Sequence, residues 1–75
     1  MAINPLLSIP EQRILVAIRE LMAEKPYPPT FREIQKRAGL SSISIVGYHM
    51  PTLQEKGYLT YEDGKSRTIQ LKKEA

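Results

Sequence analysis

Ser44, Ile45 and Tyr48 stand together on one side of the stretch 43–56. One is a hydroxyl that donates and accepts, one a branched apolar group, and one a phenol with an apolar ring and a polar tip. Around them in the chain lie two hydroxyls at helix starts, Thr30 and Ser42, and four cations, Arg32, Lys36, Lys65 and Arg67. First-turn amides with a hydroxyl beside them favour anions, and lysine or arginine neutralises the charge of a polyanion, so these groups suit phosphates. Ser44 can bond several base edges, Ile45 can pack on a thymine methyl, and Tyr48 completes the set. No arginine or asparagine on that face offers a bidentate base contact, which points to modest specificity. The plain alternatives are a wet helix surface for Ser44 and Tyr48 and a partly covered hydrophobe for Ile45.

The elements that must position these groups are legible in Thr30 to Gly57. Thr30 and Glu33 spell a T-x-x-E capping box, and Phe31, Ile34 and Ala38 follow at helical spacing. Gly39 falls where a left-handed cap residue is needed, and Leu40 can pack back over the turn. Ser41 or Ser42 then caps a second helix, with Val46, Met50 and Leu53 as its buried stripe and Ile43 and His49 at the borders. Its opposite face carries Ser44, Tyr48, Pro51 and Glu55, flanked by Ile45, Gly47 and Thr52. Two helices joined by a three-residue turn form the helix-turn-helix plan, whose second helix lies in the major groove of DNA. Pro51 lies well inside that helix and removes the bond to the Gly47 carbonyl, at about 3 kcal/mol, so a kink or break is expected there. Such a bend either steers the front half of the helix or is a tolerated defect.

Before this pair, residues 1–7 read as a flexible arm interrupted by Pro5, although Ile3, Leu6 and Leu7 are able to pack on a core. Ser8 and Glu11 repeat the capping signature around Pro10, and Ile14, Leu15, Ile18, Leu21 and Met22 mark a buried stripe, with Arg13, Glu20 and Glu24 on the wet side. The run KPYPP, 25–29, stops this helix because residues before proline are pushed out of the α region. After the pair, Lys56 and Gly57 end the helix, and the runs 58–61 and 66–71, with Asp63-Gly64 between them, predict a hairpin. Ile69 and Leu71 share one of its faces, Thr68 and Gln70 the other. Residues 72–75 read as a frayed tail. The expected class is mainly α (α+β): a winged helix-turn-helix over 8–71, three helices plus a two-stranded β-hairpin wing.

Composition narrows the function. A chain of 75 residues has room for one domain, and one that buries only about 60% of its unfolded surface. Without cysteine there is neither a disulfide nor a thiolate metal site, and one histidine cannot build a His-ligated zinc site. No apolar run approaches a membrane span and no signal-peptide region is evident, so a soluble, cytoplasmic protein is expected, without cofactor, metal or small-molecule ligand. Neither a nucleophile–histidine pair, nor clustered carboxylates, nor a glycine-rich phosphate loop is present, so no enzyme is expected. Residues 1–24 hold two arginines against three glutamates, whereas residues 25–73 hold nine basic groups against four acidic ones. The helix pair and wing thus carry the positive charge, as a polyanion partner requires.

From Leu7 to Leu71 the chain resembles the N-terminal DNA-binding domain of the LexA family. The resemblance rests on L-S-x-x-x-Q-x-x-L entering the first helix, P-P-T-x-x-E-I in 28–34, G-L-x-S in 39–42, H-x-x-x-L in 49–53, K-G at 56–57 and S-R-x-I-x-L in 66–71. It implies a winged domain that binds operator DNA and represses transcription, with base readout by Ser44, Ile45, Gly47 and Tyr48. The family's autoprotease, with its serine and lysine dyad and main dimer contacts, has no counterpart in these residues, which implies no self-cleavage. Ala38-Gly39 lies in the helix turn and is not the family's Ala-Gly cleavage site. Gly47, Tyr48 and Pro51 replace the longer polar residues common in relatives, which points to a different operator.

The expected function is therefore a sequence-specific regulator of double-stranded DNA, with phosphate contacts from Thr30, Arg32, Lys36, Ser42, Lys65 and Arg67. A homodimer on DNA would need half-sites about 34 Å apart or a multiple of that, and oligomeric state stays open. The alternative is a winged module that binds another protein through Ile43, Ile45, Tyr48 and the apolar arm. His49 is expected to be structural, and Tyr27, Tyr58 and Tyr61 to pack rather than to stack on bases.

Overall fold

Two capping boxes set the first two helices. The computed structural model describes residues 7–72. Helix α1 (Ile9–Glu24) starts from Ser8, whose hydroxyl accepts from the Glu11 amide at 3.3 Å while the Ser8 amide donates to Glu11 Oε1 at 2.9 Å. Pro10 occupies the first turn, where its missing amide leaves no bond unmade. Helix α2 (Phe31–Ala38) repeats the device, with Glu33 donating its amide to Thr30 Oγ1 at 3.1 Å and Thr30 donating to Glu33 Oε1 at 2.8 Å. It ends at Gly39, whose φ of 71° is left-handed, and the Leu40 amide reaches back to the Gln35 carbonyl. Ala38 is therefore the last helical residue and Gly39 its cap.

Helix α3 (Ile43–Glu55) continues as α-helix through Pro51. Of the kink or break expected at that residue, the break does not occur. Val46, Met50 and Leu53 are fully buried on one side of α3, and this packing holds the helix across its missing hydrogen bond. Gly57, with φ 85°, closes α3 as Gly39 closes α2, and the Tyr58 amide donates to the Leu53 carbonyl.

The wing differs from the sequence expectation in length. Its strands are β1 (Leu59–Thr60) and β2 (Gln70–Leu71), antiparallel, with Leu59 opposite Leu71 and Thr60 opposite Gln70. The longer ladder expected over 58–61 and 66–71 is replaced by side-chain bonding. Thr68 Oγ1 accepts from the Glu62 amide at 2.8 Å, and Arg67 turns to φ 60°, out of the extended region. The turn at Asp63-Gly64 forms as read, with Gly64 at φ 78° and the Lys65 amide donating to the Glu62 carbonyl.

All elements meet in one core of Ile14, Leu15, Ile18, Ile34, Val46, Met50, Leu53, Leu59 and Ile69, each nearly or fully buried. Leu21 and Met22 pack against it from α1, half-buried. Leu7, read as arm, is 5% exposed and belongs to this core, whereas Ile3 and Leu6 lie outside the described residues, as do 73–75 of the tail. Among the described residues no helix is long and apolar enough to cross a membrane.

Candidate nucleic-acid interface

Burial of the Val46, Met50 and Leu53 stripe turns the opposite face of α3 outward. Ser44 and Gly47 are exposed, and Tyr48 is exposed to 77%. Ile45 is half-buried and packs against the core, so it presents only part of its side chain. Ser42 is the cap residue of α3 by position, but its hydroxyl bonds no first-turn amide. It pairs instead with Ser44 Oγ at 2.7 Å, a correction to its expected capping role. Tyr48 stands edge-on to His49, ring centroids 5.1 Å apart.

Gly47 has nothing within 4 Å of the position a Cβ would take, so it answers to no packing need inside the protein. Gly47→Ala is accordingly expected to stabilise the fold by about 1 kcal/mol, the helix propensity difference. If Gly47 lies against a bound duplex, the same variant loses DNA affinity. Urea unfolding checks the first outcome and duplex titration the second.

The starts of α2 and α3 and the wing loop surround a cleft of about 300 Å³, lined by Thr30, Phe31, Arg32, Ile43 and residues 61–66. Its floor includes Phe31 edge-on to Tyr61 at 5.8 Å. Burial, with the charge of Asp63 nearby, raises the Tyr61 phenol above its ordinary range, so it stays a neutral donor. Arg32 lies on this cleft and is exposed, as is Lys36 on α2. Thr30 has both its amide and its hydroxyl engaged in the capping box.

The two wing cations have different surroundings. Lys65 is paired with Glu62 at 3.7 Å with both side chains largely exposed, a contact of small energy that a competing anion can replace. Arg67 donates to Glu33 through both Nη atoms at 3.2 Å and to the Pro28 carbonyl at 2.9 Å, and its guanidinium lies 4.4 Å from the Tyr27 ring centroid.

Sequence reasoning did not find the ion pair between the start of α1 and the end of α3. Glu11, 4% exposed, caps α1 and also accepts from Lys56 Nζ at 3.2 Å, with His49 Nδ1 at 3.8 Å from its other oxygen. His49 is thus held between the exposed Tyr48 ring and a buried carboxylate. Tyr58 is buried in the core and Tyr61 half-buried. Tyr27 is exposed beneath Arg67.

A supporting helix, a helix pair joined by a glycine-capped turn, and a following two-stranded wing define a winged helix-turn-helix domain. The chain belongs to the LexA DNA binding domain family, whose model matches residues 6–68. It is 44% identical over 68 residues to the LexA repressor of Carboxydothermus hydrogenoformans, covering 91% of this chain and 33% of that protein. Against the LexA repressor of Sorangium cellulosum it is 46% identical over 59 residues, covering 79% of this chain and 26% of the relative. With that of Clostridium novyi it shares 47% identity over 57 residues, 76% of this chain and 28% of the relative. The chain thus spans about a quarter to a third of the length of these relatives.

Proposed function

We propose that the domain binds double-stranded DNA by laying α3 in the major groove and acts on transcription as a repressor, the activity named in its relatives. One observation carries this reading. The outward face of α3 is uncharged and open at Ser44, Gly47 and Tyr48, Arg32 and Lys65 line the cleft at the start of α3, and Lys36 is exposed one turn after Arg32 on α2.

In this arrangement Ser44 bonds a base edge, its hydroxyl oriented by Ser42, and Tyr48 sets its ring against neighbouring bases. Gly47 lets the backbone come close, and the uncovered part of Ile45 meets a thymine methyl. Arg32, Lys36 and Lys65, with the hydroxyl groups of Thr30 and Ser42 near two helix starts, hold phosphates and set the docking register without choosing sequence. The weak Lys65–Glu62 pair gives way to the stronger field of a phosphate row.

Tyr48→Ala is expected to weaken binding to a selected duplex roughly tenfold and binding to unrelated duplex much less, because loss of a base contact acts on discrimination. Lys65→Ala is expected to weaken both alike and to reduce the salt slope by about one unit. The deciding experiment is selection of random duplexes by the purified protein at two salt concentrations. An enriched motif whose affinity falls with salt supports the reading. A flat pool, with capture of a protein partner that Tyr48→Ala abolishes, replaces it with a protein-binding module.

A further inference from the structure

The border that faces the duplex in this reading also carries acids. Glu62 and Asp63 lie on the wing loop, and Glu33 sits on α2 between Arg32 and Lys36. Glu33 differs from the other two because it cannot turn away. Its Oε1 is held by the Thr30 amide at 2.8 Å as half of the capping box, so its charge stays at the start of α2. Bonds from the Thr30 amide and from Arg67 keep it below the ordinary carboxylate range, so it is ionised at neutral pH. An anion there opposes the approach of a phosphate to Thr30, Arg32 and Lys36.

Arg67 is placed against this charge. Its guanidinium makes both contacts to Glu33, holds the Pro28 carbonyl and stacks on Tyr27, with a left-handed backbone that turns the side chain toward α2. A phosphate that drew the Arg67 guanidinium away from α2 would have to displace these contacts, whereas Lys65 has one weak pair to lose.

We propose that Arg67 promotes DNA binding without touching DNA: it neutralises the fixed Glu33 carboxylate so that a phosphate can reach the border formed by Thr30, Arg32 and Lys36. Arg67 is then a positioning residue of the interface. The inference rests on the DNA reading above and gives the charge of the border a specific local balance: Arg67 cancels the Glu33 charge that the α2 cap cannot release.

The test is a double-mutant cycle. Wild type, Arg67→Gln, Glu33→Gln and the double variant are titrated against a labelled mixed-sequence duplex at low salt, since phosphate contact needs no particular sequence. Glutamine at position 33 keeps the cap, because the capping box accepts either residue. Arg67→Gln is expected to weaken binding roughly threefold to fivefold, a deficit that shrinks as salt rises. Glu33→Gln should bind as well as wild type or better, and the double variant should return to within about twofold of wild type. Arg67→Lys, which keeps the charge without the fork, should lose less than Arg67→Gln and guards against a glutamine variant that folds poorly. A double variant as weak as Arg67→Gln overturns the inference in favour of direct phosphate contact or a purely structural role, and so does an Arg67→Gln variant that binds like wild type. If wild type itself ignores duplex at low salt, the DNA reading fails and takes this inference with it.

Discussion

Glu11→Ala is expected to destabilise the domain by about 3 kcal/mol, a melting temperature lower by roughly 15 °C for a chain of this size. Two losses combine. Removing the carboxylate takes away the acceptor of the Ser8 amide and with it half of the α1 capping box, worth about 1 kcal/mol. It also leaves Lys56, 34% exposed in its side chain, without the buried oxygen 3.2 Å from its ammonium. Because Lys56 is itself exposed and can turn to water, losing this pair costs less than breaking a fully buried one, about 2 kcal/mol. Glu11→Gln keeps the cap and loses only the charge, so it should cost less than the alanine variant by about the 1 kcal/mol of the cap. Urea unfolding of both variants checks the order, and an alanine variant within 1 kcal/mol of wild type would refute this account of the α1–α3 junction.

The same residue sets an acid limit. Burial favours the neutral form of Glu11, but the Ser8 amide and the Lys56 ammonium outweigh it, so the folded carboxyl titrates below its ordinary value. A depressed folded pKa contributes stability that is complete above the unfolded value, near pH 4.5, and is lost as pH falls through the folded value. Stability of the wild type should therefore drop below about pH 4.5 more steeply than that of Glu11→Gln. Parallel curves would remove Glu11 as the source.

Pro51→Ala should act in the opposite direction and stabilise the fold by about 2 kcal/mol. An interior proline costs about 3 kcal/mol through its missing donor and its clash with the preceding turn. Against this, alanine frees the unfolded chain, which returns about 1 kcal/mol. Pro51 is exposed, so no packing is lost on truncation. The denaturation midpoint should rise with an unchanged slope. DNA titration of the same variant separates the two readings of the proline. Affinity unchanged or improved identifies a tolerated defect, whereas lower affinity in a more stable protein means that the proline sets the aim of Ser44 and Tyr48.

The order of elements was legible because it rests on local chemistry. Thr30 with Glu33 and Ser8 with Glu11 satisfy amides three residues away, Gly39 and Gly57 take left-handed caps, and the stripe Val46, Met50, Leu53 follows helical spacing. The open face of α3 followed from the same spacing, since a helix with one side in the core shows the other to solvent. The bonding of Ser42 is not legible in sequence, because its hydroxyl has two partners in reach, the first-turn amides and Ser44, and sequence does not rank them. The wing strands are shorter than their β-prone runs because 66–71 contains Arg67 and Thr68, whose side chains bond outside the ladder.

By itself the sequence determined the three helices, their caps, the buried stripe of α3 and the cationic bias of the half that carries it, all of which depend on neighbours a few residues apart. Only the tertiary structure decided the charge pairing. Arg67 meets Glu33 across 34 positions and Lys56 meets Glu11 across 45, and no local pattern fixes which cation a folded chain sets against which acid. Such pairs form only once the core has closed and fixed the helices and wing relative to one another, and so which cation is held by which acid is a property of the fold.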